Sequence, residues 1–293
     1  MNFAQDALWW RLTDGAVRDL ASLLAAPPLW HSGVELPRRA LIGETGFRFL
    51  LGLNDAPAPL HDYLAQVAPY GHRLGFYAES LLAFWFSHAP HFALVGQNLA
   101  LYDDPVSRRQ TLGSVDFLVR LEGEPLHLEL TCKYYGNPEA TLDGFVGLNQ
   151  QDKMANKISK LQQQLAWSGH AAFAPITAAV WPEAPSVRSA SIVRGVGFTP
   201  EGTLLSAPAP INRYGWAGHY LRDWAELPEA LQGARWVLLT NMQRLSPARV
   251  AAAEAQPFSA LADGVKEGVV AFLHQRIDGH WHETSRVMKA LLP

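Results

Sequence analysis

Residues 126–135, LHLELTCKYY, alternate strictly between apolar and functional side chains. That period of two belongs to a β-strand whose two faces differ in kind. Leu126, Leu128, Leu130 and Cys132 would point one way, and His127, Glu129, Thr131 and Lys133 the other. A second alternating run, SVDFLVR at residues 114–120, lies just upstream, separated by Glu122-Gly123. That dipeptide suits a tight hairpin turn. With those two as the turn residues, Asp116 falls directly opposite Glu129 on one face, with Cβ atoms about 5 Å apart. A chain containing this hairpin must bury one face and find a use for the other.

Two opposed carboxylates repel unless one keeps a proton or a cation lies between them. Magnesium and manganese bind such oxygen pairs and leave positions open for water and phosphate. Lys133, on the same face, would stabilise charge developing on a phosphoryl group. Asp116, Glu129 and Lys133 are therefore the expected catalytic centre, with Mg2+ or Mn2+ as cofactor.

The surrounding chain reads as mixed α/β. Residues 16–24 have helical spacing, and residues 72–90 are apolar almost all round, as in a buried helix. Glu79 is the one acid in that helix. Residues 92–104 read as a strand with a bulge near Gly96. Residues 147–169 read as a helix stopped by Gly169, with Asn149 and Asp152 as capping or first-turn groups. Residues 173–181, FAPITAAVW, read as a fourth, central strand. The order from residue 72 to 181 is then α-β-β-β-α-β. Beyond it, residues 191–198 and 202–206 are expected to pair, 216–227 to be helical, 235–241 a strand, and a short helix to start near Pro247. Residues 269–276 and 280–288 should form a hairpin turning at Asp278-Gly279. Three segments follow: an N-terminal helical part at 1–71, a core at 72–181 and a C-terminal α+β extension at 182–293.

Lys153, Lys157 and Lys160 recur at helical spacing, with Gln164 continuing the stripe. With Arg120, they would form a local patch for a phosphate backbone. The patch must be local, because the 293 residues carry a formal net charge of only −3. The single cysteine, Cys132, excludes an internal disulfide or a cysteine-rich zinc site and is expected to be an inert core thiol. His280, His282 and Glu283 lie close in sequence but offer no evident third metal ligand position. No P-loop, strand-linked GxGxxG or GxSxG occurs. No basic-then-apolar leader opens the chain and no apolar stretch is long enough to span a bilayer, so a cytoplasmic location without a membrane partner is expected.

The strings AVRDLASLLAAPPL, FYAESLLAFW, TLGSVDFLV, HLELTCKYY, GLNQQDKMANKISKLQQQ and DGHWHETSRVM span nearly the full chain. With the α-β-β-β-α-β order, they resemble the PD-(D/E)XK, restriction-endonuclease-like superfamily, and more closely an uncharacterised bacterial family within it. The resemblance implies a restriction-endonuclease-like core and a metal-dependent nuclease acting on DNA ahead of RNA. It makes Asp116, Glu129 and the Leu130 carbonyl metal ligands. It gives Glu79 the role of a first-helix acid joining the site, and sets residues 147–169 against nucleic acid. The superfamily's lysine stands two residues after its acid, where this chain has Thr131; Lys133 stands four after. The alternatives are a module on the same fold that binds nucleic acid or protein without cutting, and, more remotely, a carboxylate-pair glycosidase.

Overall fold

A computed structural model describes residues 11–71, 73–103, 110–137, 144–183, 186–200 and 209–291. The helical first part holds α1 (Gly15–Ala25), α2 (Arg38–Ile42), α3 (Gly46–Asp55) and α4 (Ala58–Val67), followed by α5 (Leu74–His88). Asp14 caps α1 by accepting the Val17 N–H at 3.1 Å. Helix α5 is buried along nearly its whole circumference, as its composition requires, and Trp85 ties it to the Leu41 carbonyl at 3.0 Å. Pro90 lies just past its end.

Strands β1 (Phe92–Tyr102), β2 (Thr111–Leu121) and β3 (Glu124–Gly136) form an antiparallel meander. The expected bulge in β1 falls between Leu94 and Gly96. Glu122 and Gly123 form the β2–β3 turn with φ of 52° and 91°, the left-handed pair that a two-residue hairpin turn demands. Pairing runs from Leu121↔Glu124 to Phe117↔Leu128, and Asp116 and Glu129 are the next residues along the two strands.

After α6 (Met154–Ala166) come α7 (Ala174–Val180) and β4 (Arg188–Thr199). The expected strand at 173–181 is thus a helix. Pro175 stands in its first turn, where a proline is favoured, and three alanines favour the helical state. Its apolar ends are the buried residues, Phe173 and Trp181. The fourth strand of the α-β-β-β-α-β order is supplied instead by β4, which runs parallel to β3 from Leu126↔Arg188 to Gly136↔Phe198. Helix α6 is also shorter than expected. Asn149 accepts the N–H groups of Gln151 and Asp152 and holds residues 147–152 in turns, the usual competition between a short polar side chain and a helix.

The chain continues through β5 (Trp216–Leu221), β6 (Arg235–Leu239), β7 (Arg249–Val250), α8 (Leu261–Gly264), β8 (Gly268–Gln275) and β9 (Trp281–Lys289). Residues 216–227, expected to be helical, begin as β5, because Trp216, Gly218, Tyr220 and Leu221 are needed on the sheet. The helix expected near Pro247 is replaced by β7, paired with β9. Residues 202–206 lie outside the described residues. The β8–β9 hairpin forms as expected, with Gly279 at φ 79°. The nine strands among the described residues join one mixed sheet in the order β1-β2-β3-β4-β5-β9-β8-β6, with β7 on β9.

The largest core cluster packs α1–α5 against one sheet face through Phe117, Leu128, Leu130 and Ile192. The opposite face of β2–β4 is covered by α6 and α7, through Leu118, Phe173 and Trp181 and through Val193, Leu161 and Met154. No described helix is long and apolar enough to cross a membrane.

Candidate active site

The β2–β3 ladder ends where the two acids begin, and their side chains take over its hydrogen bonds. Asp116 Oδ2 accepts the Leu130 N–H at 2.8 Å. The Asp116 N–H points at Glu129 Oε1 at 3.4 Å. In an extended strand the N–H and C=O of one residue point to the same side, so the Leu130 carbonyl also faces β2 and the acids.

Glu129 is 1% exposed, so its strand face is no solvated surface. His127 Nε2 lies 2.7 Å from Oε1, and Gln164 Nε2 donates to Oε2 at 2.6 Å from α6. Ser189 contacts the other imidazole nitrogen at 2.9 Å. Burial pushes the His127 pKa down to about 4, so the ring is neutral at pH 7. Against an ionised Glu129, Nε2 then carries the proton and Nδ1 accepts from the Ser189 hydroxyl. Oε1 thus faces two donors, His127 and the Asp116 N–H, while Oε2 accepts from Gln164 and keeps a second lone-pair direction.

The electrostatics are those of a crowded acid centre. Burial first, and then the neighbouring Glu129, raises the pKa of Asp116 to about 7. Burial likewise lifts Glu129 to about 7, while its hydrogen bonds with Asp116 oppose the shift. One proton shared between the pair satisfies both. Glu79 also rises to about 7, first by burial and then by the charge of Asp116, with Asn98 Nδ2 3.4 Å from its carboxylate. Glu79 is thus half-buried and within electrostatic reach of Asp116.

The cation that acts on all three carboxylates is Lys157, half-buried on α6. Lys153 and Lys160 remain exposed on the same helix, while Gln164 is buried against Glu129. Lys133 does not aim at the acids. Its ammonium pairs with Asp152, which also accepts the Tyr135 hydroxyl at 3.2 Å. Asp152 consequently caps nothing; the N-cap position of α6 is Lys153. Arg120 sits at the far end of β2, bonded to Glu183 and to the Gly123 carbonyl, four residues and about 13 Å along the strand from Asp116. Cys132, expected in the core, is only half-buried and packs against the core's edge, and burial pushes its thiol up to about 12.

His127 is the site residue that the sequence pattern places on the right face without marking its role. Thr131 is a second. Its hydroxyl is fully buried, lies on the same strand face as Glu129, and has no hydrogen-bond partner among the described residues. Buried hydroxyls are almost always satisfied, so this one points to a bound water or ion. The donors at the acids are hard oxygens: two carboxylates and the backbone carbonyl of Leu130, with Glu79 within electrostatic reach and Thr131 two residues along the same strand face. That set fits magnesium or manganese completed by water, and lacks the nitrogen and sulfur donors of a zinc site. Among the described residues no three His, Cys, Asp or Glu side chains form a ready-made metal cage. Magnesium, which commonly binds through one or two carboxylates and retains waters, needs none.

A family model described as "Domain of unknown function (DUF1853)" matches residues 18–289, and the chain belongs to that family. No curated protein and no solved structure matches it.

Proposed function

We propose that this protein is a magnesium- or manganese-dependent nuclease of the PD-(D/E)XK type, hydrolysing phosphodiester bonds in DNA or RNA. The observation that carries the reading is the pair of half-buried Asp116 and buried Glu129, which stands where the β2–β3 ladder stops, with the charge of Lys157 acting on both. Support for the superfamily comes from the order β1-β2-β3-β4-β5, antiparallel through β3 and parallel from β3 to β5, with α5 before the meander and α6 after it.

Asp116, Glu129 and the Leu130 carbonyl would hold the cation, which when bound supplies a Lewis acid for a phosphoryl oxygen. His127 and Gln164 fix both oxygens of Glu129, so its orientation is set before substrate arrives. Lys157 takes the role of neutralising charge that develops on the phosphate. The exposed Lys153 and Lys160 extend a positive track along α6 for the neighbouring backbone.

The test is cleavage of plasmid DNA and of structured RNA in manganese by wild type and Asp116→Asn. Loss of cleavage in the variant, with an unchanged circular dichroism spectrum, supports the reading; equal cleavage by both rejects it. The Lys133–Asp152 pair favours a second reading, in which the same face binds nucleic acid without cutting it. Salt-dependent binding with no cleavage in either metal would select that alternative.

A further inference from the structure

A cavity of about 400 Å³ opens where β6 ends, and its lining shares no residue with the acid centre. That volume falls in the range of about 300–1,000 Å³ usual for small-molecule sites. Three segments meet there: the turn before α6, the end of β6 with the 3₁₀ turn that follows it, and the entry to β8. Leu148, Leu238 and Leu239 give it an apolar wall. Leu238 remains 43% exposed, so part of this wall is left uncovered by the chain. Gly268 keeps the wall in place. Its φ is +141°, and a Cβ there would stand 2.7 Å from Leu238 Cδ1, so any larger residue would push the leucine aside.

Arg244 is the most telling member of the lining. Its carbonyl accepts from the Tyr134 hydroxyl and from Arg286, which fixes its backbone. Its guanidinium has no hydrogen-bond or ion-pair partner among the described residues, and its Nε is fully buried. Burial lowers its pKa, Tyr134 partly opposes that shift and Arg286 adds to it. An arginine nevertheless stays charged at neutral pH. Buried polar groups are almost always satisfied, so this fork calls for an acceptor from outside the chain.

Glu267 also lines the cavity, exposed and without an ion pair among the described residues. Arg244 and Glu267 therefore present opposite charges to one space without closing on each other. The neighbouring polar groups divide in the same way. Asn149 Oδ1 is taken by the N–H groups of Gln151 and Asp152, which leaves its amide N–H groups as donors. The Thr240 hydroxyl donates to Gln243 at 3.0 Å and accepts from the Gln243 N–H, which leaves it one lone pair as an acceptor.

We propose that this cavity binds a free α-amino acid with an apolar side chain. Its carboxylate accepts from Arg244 and Asn149, its ammonium donates to Glu267 and Thr240, and its side chain lies against the three leucines. A lining of one cation and one anion matches a zwitterion. A simple carboxylic acid would meet the repulsion of Glu267, and a simple amine that of Arg244.

The experiment is calorimetric titration, with thermal denaturation alongside, of the full chain in EDTA, which keeps divalent metal away from the acid centre. L-Leucine is the probe, compared with glycine, N-acetylleucine and leucine amide, which lack in turn the side chain, the ammonium and the carboxylate. The expected result is one site per chain for leucine with a raised Tm, and binding weaker by about tenfold or more for each of the other three. Arg244→Gln should weaken leucine binding by a similar factor. Glu267→Gln should do the same, and because Glu267 is exposed, it carries the test if Arg244→Gln fails to fold. Asp116→Asn should bind leucine like wild type whether or not the protein cuts nucleic acid. No binding of leucine at millimolar concentration, N-acetylleucine or leucine amide binding as tightly as leucine, undiminished binding in Glu267→Gln, or loss of binding in folded Asp116→Asn would each overturn the proposal.

Discussion

Gln164 reaches from α6 into the sheet and donates to Glu129 Oε2 at 2.6 Å, while His127 holds the other oxygen. A buried carboxylate fixed at both oxygens by neutral donors is oriented without being neutralised. Gln164→Leu keeps the volume and removes the donor. It should cost about 1–3 kcal/mol of stability, the penalty for a buried acceptor losing its partner. Manganese affinity should fall by about 10- to 100-fold, as when a group that orients a metal ligand is lost. Chemical denaturation and calorimetry measure the two effects, and unchanged metal affinity would remove Gln164 from the site.

The acid centre also sets how stability follows pH. Asp116, Glu129 and Glu79 have folded-state pKa values near 7, well above the ordinary carboxyl range. Their raised pKa values stabilise the fold fully only below that ordinary range, and the contribution is lost as pH rises through about 7. Asp19, raised to about 6, acts in the same direction. His127, lowered to about 4, acts oppositely and weakens the fold as pH falls from its usual 6.5 toward 4. Without metal, Tm should therefore peak below neutrality and decline through pH 7. Asp116→Asn should flatten the decline without abolishing it, because Glu79 and Asp19 remain. A Tm that rises from pH 6 to 8 in wild type would contradict this assignment.

Metal binding should be linked to the same protons. At pH 7 the carboxyl pair holds roughly half its protons, and a divalent cation displaces them. Titration of manganese into the protein in two buffers of different ionisation enthalpy should report release of about one proton per ion. Asp116→Asn should abolish both the binding heat and the release. Equal heats in wild type and variant would place any bound manganese elsewhere.

The hairpin and its register were legible because a two-residue turn at Glu122-Gly123 leaves one pairing, and alternation then places Asp116, Glu129 and Thr131 without further information. The shared face of His127 and Glu129 was legible for the same reason. Gln164 as their partner was not, because nothing local says that a helix thirty-five residues downstream packs that stripe inward. Residues 173–181 misled because a short apolar run has no period that separates strand from helix. Pro175 was the available cue. The burial of the functional face depends on α6 and α7 covering it, which is tertiary information.

The sharpest departure from sequence spacing concerns the lysines. Strand alternation puts Lys133 on the face of Glu129, yet its ammonium is held by Asp152, and Lys157 is the cation that biases all three carboxylates. Lys157→Met should lower kcat for nucleic-acid cleavage by about 10²–10³-fold, the scale for losing one preorganised charge donor, with a much smaller change in KM. It should also push the acid-centre titration upward, because the lysine currently favours the ionised carboxylates. Lys133→Met strands Asp152 and Tyr135 and should loosen the turn before α6. Its expected signature is a lower Tm with a milder loss of kcat than Lys157→Met causes. Single-turnover cleavage with manganese across pH 6 to 9 separates the two. If Lys133→Met is the more damaging to kcat, the lysine on β3 swings from Asp152 to the phosphate during turnover, and Lys157 serves only to tune the acids.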